Sequence, residues 1–396
     1  MCAERLARLR PALQRYVDEG EVAGAVALIL RDGKVVAEEA VGYADIQQGI
    51  PMRPDAIFRI ASMTKVVTTV AVMMLYEQGL LLLTDDLSDH LAEFANPQVA
   101  VLDSSGQITA LVPAGRGIRI RDLLTHRSGL TYLFLDNGPV GDLYREAGVT
   151  DSIVPDKTMA ENVRRLAGAP LLFDPGTAYQ YSLSVDVLGR VVEVVSGKSL
   201  ADFLEESIFA PLAMSSTTFY VPDEDLHRLT VPYIREDGQL RPLADPEDVN
   251  GLLMTGQGHR GSSTFHSGGA GLFSTAADYA RFAQMLSNGG SLGDVRILSR
   301  KTLELMLANH VADLDDPPVG LSNALGYGLN VITSLDGRTT PGTPGSFGFS
   351  GVYRTTFWAD PAEGLVGVLM TQLTVPTRIG QTFRVLTYQA VIDEVP

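Results

Sequence analysis

Cysteine is almost missing from this chain of 396 residues: Cys2 is the only one. No internal disulfide framework, cysteine-held metal or thiol nucleophile can therefore sit in the body of the protein. Basic charge is also short, with 31 Lys and Arg against 47 Asp and Glu and a net charge of −16. The excess is spread without a long acidic tract, which disfavours nucleic acid and anionic membrane surfaces as partners and mainly implies solubility. The six histidines, His90, His126, His227, His259, His266 and His310, never approach a metal-ligand spacing such as H-E-x-x-H, so neither a metal nor another cofactor is expected. The apolar run 66–76 falls short of the roughly 20 residues that cross a bilayer. Residues 1–10 read as a charged amphipathic helix without an apolar signal core or small-residue cleavage site, and they begin with Met1, so a cytoplasmic protein is expected.

What is present gathers around Lys65, one of only five lysines. Ser62-Met63-Thr64-Lys65 opens the uncharged run 66–76, which reads as a buried helix. Positions i and i+3 share a helix face, so hydroxyl and amine can meet. Desolvation at the head of an apolar helix lowers a lysine's pKa and lets it take a proton from serine, activating a nucleophile without histidine. An N-cap serine followed by a snorkelling lysine also fits the tetrapeptide. No charged residue follows Lys65 in the run 66–76 to pair with it locally, so its charge must find a partner elsewhere in the fold.

With 45% hydrophobic residues the chain can bury a large core. Arg31-Asp32-Gly33 between two β-prone runs, 24–30 and 34–38, signals a hairpin, and 352–358 with 365–372 signals another, followed by a closing helix near 379–393. Strands at both ends around a mostly helical middle predict an α+β fold: one antiparallel sheet flanked by helices, with an inserted helical domain. The expected division is 1–76 with 261–396 for the sheet domain and 77–260 for the insert, with the active site between them. Helices are predicted at 119–125, 158–167, 183–195 and 199–207, and irregular stretches at 97–118, 133–156 and 222–262.

A serine–lysine pair needs a proton relay, an oxyanion hole and a surface that reads the substrate. Tyr179 and Tyr181 stand on a turn just before a predicted helix. There a phenol beside Lys65 can shuttle protons, although such tyrosines also serve simply as packing. Gly345-Ser346-Phe347-Gly348-Phe349-Ser350-Gly351-Val352-Tyr353 is a glycine-rich lead into the C-terminal strand pair. It permits close backbone approach at a site edge, or plays no more than a turn role.

Taken together and in this order, these pieces resemble the class C β-lactamase superfamily: β-lactamases, DD-peptidases and the family VIII carboxylesterases. The resemblance spans nearly the whole chain. It rests on Phe58-Arg59-Ile60-Ala61-Ser62-Met63-Thr64-Lys65, Asp122-Leu123-Leu124-Thr125-His126-Arg127-Ser128-Gly129-Leu130, Tyr181-Ser182-Leu183, and Ser267-Gly268-Gly269-Ala270-Gly271 leading to a late helix. It implies a β-lactamase/transpeptidase-like fold with Ser62 as the acylated nucleophile. Lys65 and Tyr181 would share general base and acid duty, with Tyr179 as the alternative if the register is off by two. The main-chain N–H groups of Ser62 and Val352 would form the oxyanion hole, and Phe349, Ser350 and Gly351 would bind substrate.

The departures from the β-lactamases decide the substrate expectation. Those enzymes carry Tyr-x-Asn and Lys-Thr-Gly where this chain has Tyr181-Ser182-Leu183 and Phe349-Ser350-Gly351. An aromatic residue in place of the lysine removes a cation and installs an apolar wall, which penalises a carboxylate and suits a neutral ester. It resembles the Trp-Gly-Gly of family VIII esterases without matching it. Ser350 is left able to hydrogen-bond an ester carbonyl or a carboxylate. The expected activity is hydrolysis of short-chain carboxylic esters, with acyl transfer to an alcohol or weak β-lactamase or DD-peptidase activity as alternatives. A small-molecule ester is the expected partner; the sequence sets no oligomeric state. Gly289-Gly290-Ser291-Leu292-Gly293 fits G-x-S-x-G but follows a helical run instead of a strand, so Ser291 reads as loop. His126 and His266 read as structural hydrogen-bonding residues.

Overall fold

A computed structural model of the protein describes residues 1–151, 157–314, 324–336 and 338–392. Eight strands form one antiparallel sheet: β1 (Gly24–Arg31), β2 (Lys34–Asp45), β3 (Ile50–Pro51), β4 (Ala324–Leu325), β5 (Asn330–Val331), β6 (Phe347–Ser350), β7 (Thr356–Asp360) and β8 (Leu365–Met370). Their order is β4-β5-β6-β7-β8-β1-β2-β3. N- and C-terminal segments therefore meet at its centre, where Val26 pairs with Met370 and Arg31 with Leu365. Asp32 and Gly33, at φ 51° and 74°, make the left-handed turn that a two-residue hairpin requires.

Six helices position the site: α1 (Leu9–Asp18), α2 (Thr64–Glu77), α3 (Ile120–Leu124), α4 (Ser184–Ser196), α5 (Ala276–Ser287) and α6 (Ile379–Tyr388). Side chains alternate across a strand. Val26, Leu28 and Leu30 of β1 accordingly enter the main core with α2 and α5, while Ala25, Ala27 and Ile29 pack with Leu9 and Leu13 of α1 and Phe383 of α6. Both faces of the central strands are thus covered, which explains their unbroken apolar runs. Helix α2 is buried almost all round, as a helix without a polar face must be. Among the described residues no helix is long and apolar enough to cross a membrane.

The α+β architecture matches the sequence expectation, and several details correct it. The N-terminal helix at 1–10 is a single turn, Ala3–Leu6, followed by the real helix α1. The strand expected at 352–358 is instead two elements: β6 ends at Ser350, residues 351–355 turn, and β7 begins at Thr356. Glycine-rich β6 passes for a loop by composition, yet an added Cβ at Gly348 would stand 2.3 Å from the Phe357 carbonyl oxygen, so glycine is what admits the close neighbour.

The stretches expected to be irregular carry their own elements. Residues 97–118 hold the hairpin Gln98–Leu102 with Ile108–Pro113, and 133–156 hold the helix Pro139–Glu146, with 152–156 outside the described residues. Residues 222–262 hold two hairpins turning at Asp237-Gly238 and Asn250-Gly251, all four residues at positive φ. Asp-Gly and Asn-Gly are the strongest short hairpin signals, and here they sit in weakly apolar surroundings that hid them. The closing helix ends at Tyr388, short of 393, a position outside the described residues.

Buried Arg59, on the short strand Phe58–Arg59, ties this last region to the site. Its guanidinium donates to the carbonyls of Thr230 and Gly256, both at 2.9 Å, and of His259. The segment after residue 229 is thereby fastened to the strand that delivers Ser62.

Candidate active site

Phe58–Arg59 pairs with Phe273–Ser274, and Ile60 N–H bonds Leu272 O at 3.1 Å. The chain then turns sharply through Ala61, at φ 44°, into the 3₁₀ turn Ala61–Met63 and on into α2. Left-handed backbone at a non-glycine residue is strained, and such strain concentrates where a side chain must be aimed. The corner leaves Ser62 half-buried while Lys65, one turn deeper, is 1% exposed.

Three of the sequence-predicted side chains meet here. Lys65 Nζ lies 3.3 Å from Ser62 Oγ and donates to Gly269 O at 2.7 Å. The Tyr181 hydroxyl donates to the same Ser62 Oγ at 2.9 Å, from just before α4. Tyr179 makes no such contact. It packs edge-on against His126, ring centres 6.0 Å apart, so the register places Tyr181 and not its neighbour at the serine.

Burial drives the electrostatics. Desolvation lowers Lys65 from the ordinary lysine range to about 8, with Asp186 and then Asp151 pulling in the opposite direction. Burial pushes the Tyr181 phenol above its usual range, against the hydrogen bond to Ser62. His126, buried against the Tyr181 ring with centres 4.7 Å apart, is depressed to about 3 by desolvation and then by Lys65. At neutral pH it is an uncharged ring sharing a hydrogen bond with Ser182 Oγ at 3.2 Å, which is the structural role expected of it.

The backbone around the serine offers two donors. Ser62 N–H precedes the first bond of the 3₁₀ turn, Met63 N–H to Ile60 O. The turn after β6 is pressed against Ile60: a Cβ on Gly351 would stand 2.4 Å from Ile60 O. Gly351 N–H is used on Thr355 O at 2.8 Å, whereas Val352 N–H has no acceptor among the described residues. Strand β5 pairs β6 only at Phe347 and Gly348, leaving the Phe349–Gly351 edge open toward the site.

Alternation along β6 separates the remaining predicted residues. Phe349 faces inward and, with Lys65, Tyr181, Tyr179, Leu325 and Asn330, lines a mainly apolar cavity of about 80 Å³. Ser350 is exposed, bonds Thr356 Oγ1 at 2.9 Å, and lines a separate groove with Arg354 and Arg384. Ser291 sits in a two-residue hairpin strand after α5, not in a strand-to-helix elbow. His266 packs on Phe219, ring centres 5.0 Å apart, and is lowered by burial.

The sequence did not reveal the support behind Lys65. Tyr132 presents its ring 5.3 Å from Nζ, the Gly269 carbonyl accepts from it, and buried Asp186 lies beyond that turn.

Comparisons with known proteins identify the family and the fold. The family described as Beta-lactamase matches residues 9–388. Esterase EstB of Burkholderia gladioli is 34% identical over 385 residues, covering 93% of this chain and 91% of its own. The lovastatin esterase of Penicillium rubens is 30% identical over 396 residues, covering 94% and 95%. Among solved structures, EstCE1, described as a hydrolase with promiscuous acyltransferase activity, superimposes with a TM-score of 0.81 at 29% identity over 98% of this chain and 99% of that one. The fold is that of the β-lactamase/transpeptidase group.

Proposed function

This chain belongs to the Beta-lactamase family, and we propose that within it the protein is a serine carboxylesterase acting on short-chain esters. The observation that carries the reading is the convergence on one oxygen: Ser62 Oγ is met by Lys65 Nζ at 3.3 Å and by the Tyr181 hydroxyl at 2.9 Å. Esterase relatives support the hydrolase class.

In this reading neutral Lys65 takes the Ser62 proton as Oγ attacks the ester carbonyl carbon. The new C–O bond pushes the carbonyl electrons onto oxygen, where the N–H groups of Ser62 and Val352 hold the charge. The Tyr181–Lys65 pair returns the proton to the departing alcohol oxygen as its C–O bond breaks, leaving an acyl-serine. Water then attacks the acyl carbon while giving a proton to the same pair; the bond from that carbon to Ser62 Oγ breaks, the pair returns the proton to Oγ, and the free acid leaves. A lysine lowered to about 8 fits a base that is increasingly free of its proton toward mildly alkaline pH, and a phenol held neutral by burial fits the relay. Phe349 gives an apolar wall beside Lys65 and Tyr181, which supports a neutral ester over a charged substrate. Ser350 and Gly351 enter through the turn that presents Val352, and the site lies between the 77–260 segment carrying Tyr181 and the remainder carrying Ser62 and Lys65.

A fluorophosphonate probe followed by mass mapping tests the assignment. Labelling at Ser62 that disappears in Ser62→Ala is expected; labelling at Ser291 would defeat it. Acyl transfer is the second reading, supported by the description of EstCE1. It is distinguished by product ester exceeding free acid when an alcohol is supplied.

A further inference from the structure

Asp186 is a buried carboxylate that the reaction above does not use. It stands on α4, the helix that begins just after Tyr181. Its Oδ1 accepts from the Ser267 hydroxyl at 2.6 Å and from Gly269 N–H at 3.1 Å. The Gly269 carbonyl in turn accepts from Lys65 Nζ at 2.7 Å. From the other side Thr68, one turn after Lys65 on α2, donates to Gly268 O at 2.8 Å. The turn carrying Lys65's acceptor is thus pinned between two helices. It has no slack: a Cβ at Gly269 would stand 2.4 Å from Asp186 Oδ2, and one at Gly268 2.7 Å from Val185 O.

A carboxylate removed from water is unfavourable unless something compensates it. Among the described residues Asp186 has no ion-pair partner in contact; burial raises its carboxyl above the ordinary range, while Lys65 and then the hydrogen bonds from Ser267 and Gly269 act to keep it charged. We propose that Asp186 is a positioning residue for Lys65: it fixes the glycine turn so that the Gly269 carbonyl meets Nζ, and it supplies the buried negative charge that balances the amine. This rests on the reading of Lys65 as the base for Ser62.

The other groups around the amine do not duplicate the arrangement. Tyr132, Tyr181, Tyr179 and His126 are uncharged at neutral pH, burial having moved each away from ionisation. Asp151 also favours the protonated amine, but its bonds run to the 133–134 backbone instead of the glycine turn. Asp186 joins charge and geometry in one side chain.

Two variants separate these contributions. Asp186→Asn keeps an oxygen for Ser267 and Gly269 while deleting the charge; Ser267→Ala keeps the charge and removes one anchor. With Asp186 neutralised a proton on Lys65 is less stable, so the acid limb of the kcat/KM profile should move to lower pH by roughly half a unit or more, with a lower plateau and little change in KM. Ser267→Ala should lower kcat about three-fold or more and leave the limb in place. An unmoved limb and a kcat within about two-fold of wild type in Asp186→Asn overturn the proposal. If that variant does not fold by circular dichroism, Ser267→Ala combined with Thr68→Val loosens the turn without touching the charge, and an unchanged kcat then overturns it. Full activity in Lys65→Ala removes the base mechanism and this proposal together. Inactive Lys65→Ala beside an unaltered Asp186→Asn profile removes this proposal alone.

Discussion

Lys65 Nζ sits 4.7 Å from the centre of the Tyr181 ring, on the π-face of the phenol with which it shares Ser62 Oγ. Cation–π attraction favours the charged amine while burial disfavours it, and burial wins, leaving the lysine near 8. In the proposed mechanism this pair passes a proton over a short path.

The first consequence is a pH profile. Below about 8 Lys65 carries its proton and cannot accept one from Ser62. Log kcat/KM should then rise with a slope near one up to that pH and level off above it. A profile flat between pH 6 and 9, measured with a p-nitrophenyl ester at roughly constant ionic strength, would remove Lys65 as the base.

The same lysine should cost stability. Its folded pKa lies below the unfolded value, so the unfolded chain binds more protons between about 8 and the ordinary lysine range, and stability rises with pH through that window. Lys65→Met should abolish turnover by roughly two orders of magnitude or more. Its Tm at pH 7 should be no lower than wild type, and its advantage should shrink as pH rises from 8 to 10. Calorimetry across that range checks the sign; a large destabilisation at pH 7 would contradict it.

Tyr181→Phe retains the ring that packs on His126 and Tyr132 and loses only the hydroxyl. A fall in kcat of roughly one hundred-fold or more with Tm almost unchanged is expected. Tyr179→Phe, touching no reacting atom, should stay within about three-fold. Reversal of the two effects in steady-state assays would move the relay to the other phenol.

Phe349→Lys places a cation on the wall of the small cavity beside Tyr181. Relative kcat/KM for carboxylate-bearing over neutral esters should rise about ten-fold, with nitrocefin turnover increasing in parallel. An unaltered substrate ranking would mean that Phe349 does not contact substrate.

Gly351→Ala tests the proposed oxyanion role of the turn after β6. The added methyl meets Ile60 O and Thr355 Oγ1 at 2.4 and 2.5 Å, so the turn must withdraw and carry Val352 N–H with it. A loss of about ten-fold or more in kcat is expected, along with slower fluorophosphonate labelling of Ser62. Wild-type rates in both assays would place the oxyanion donors elsewhere.

Local chemistry explains what the sequence disclosed and what it concealed. Helix geometry joins Ser62 and Lys65 at i and i+3, and the turn before α4 offers both Tyr179 and Tyr181; the family resemblance is what gives the pair its meaning and selects Tyr181. The hairpin of β1 and β2 announced itself through Asp32-Gly33. Strand β6 stayed hidden because Gly348 and its neighbours lack β-branched side chains; pairing with β7 creates the strand, not propensity. Asp186 was silent for a related reason. Its meaning comes from Ser267 and Gly269, brought to it only by tertiary packing, and a lone aspartate near a helix start usually marks nothing more than a favourable dipole.

The pairing of Val26 with Met370 has a consequence for biogenesis. Strand β1 pairs early with β2 but must wait for nearly the entire polypeptide before β8, its partner on the other edge, exists. Such long-range closure slows folding and leaves an apolar ribbon uncovered in the meantime. Nascent fragments ending before β8 should therefore depend on chaperones, and hydrolytic competence should emerge only after the last third of translation, as a single late event.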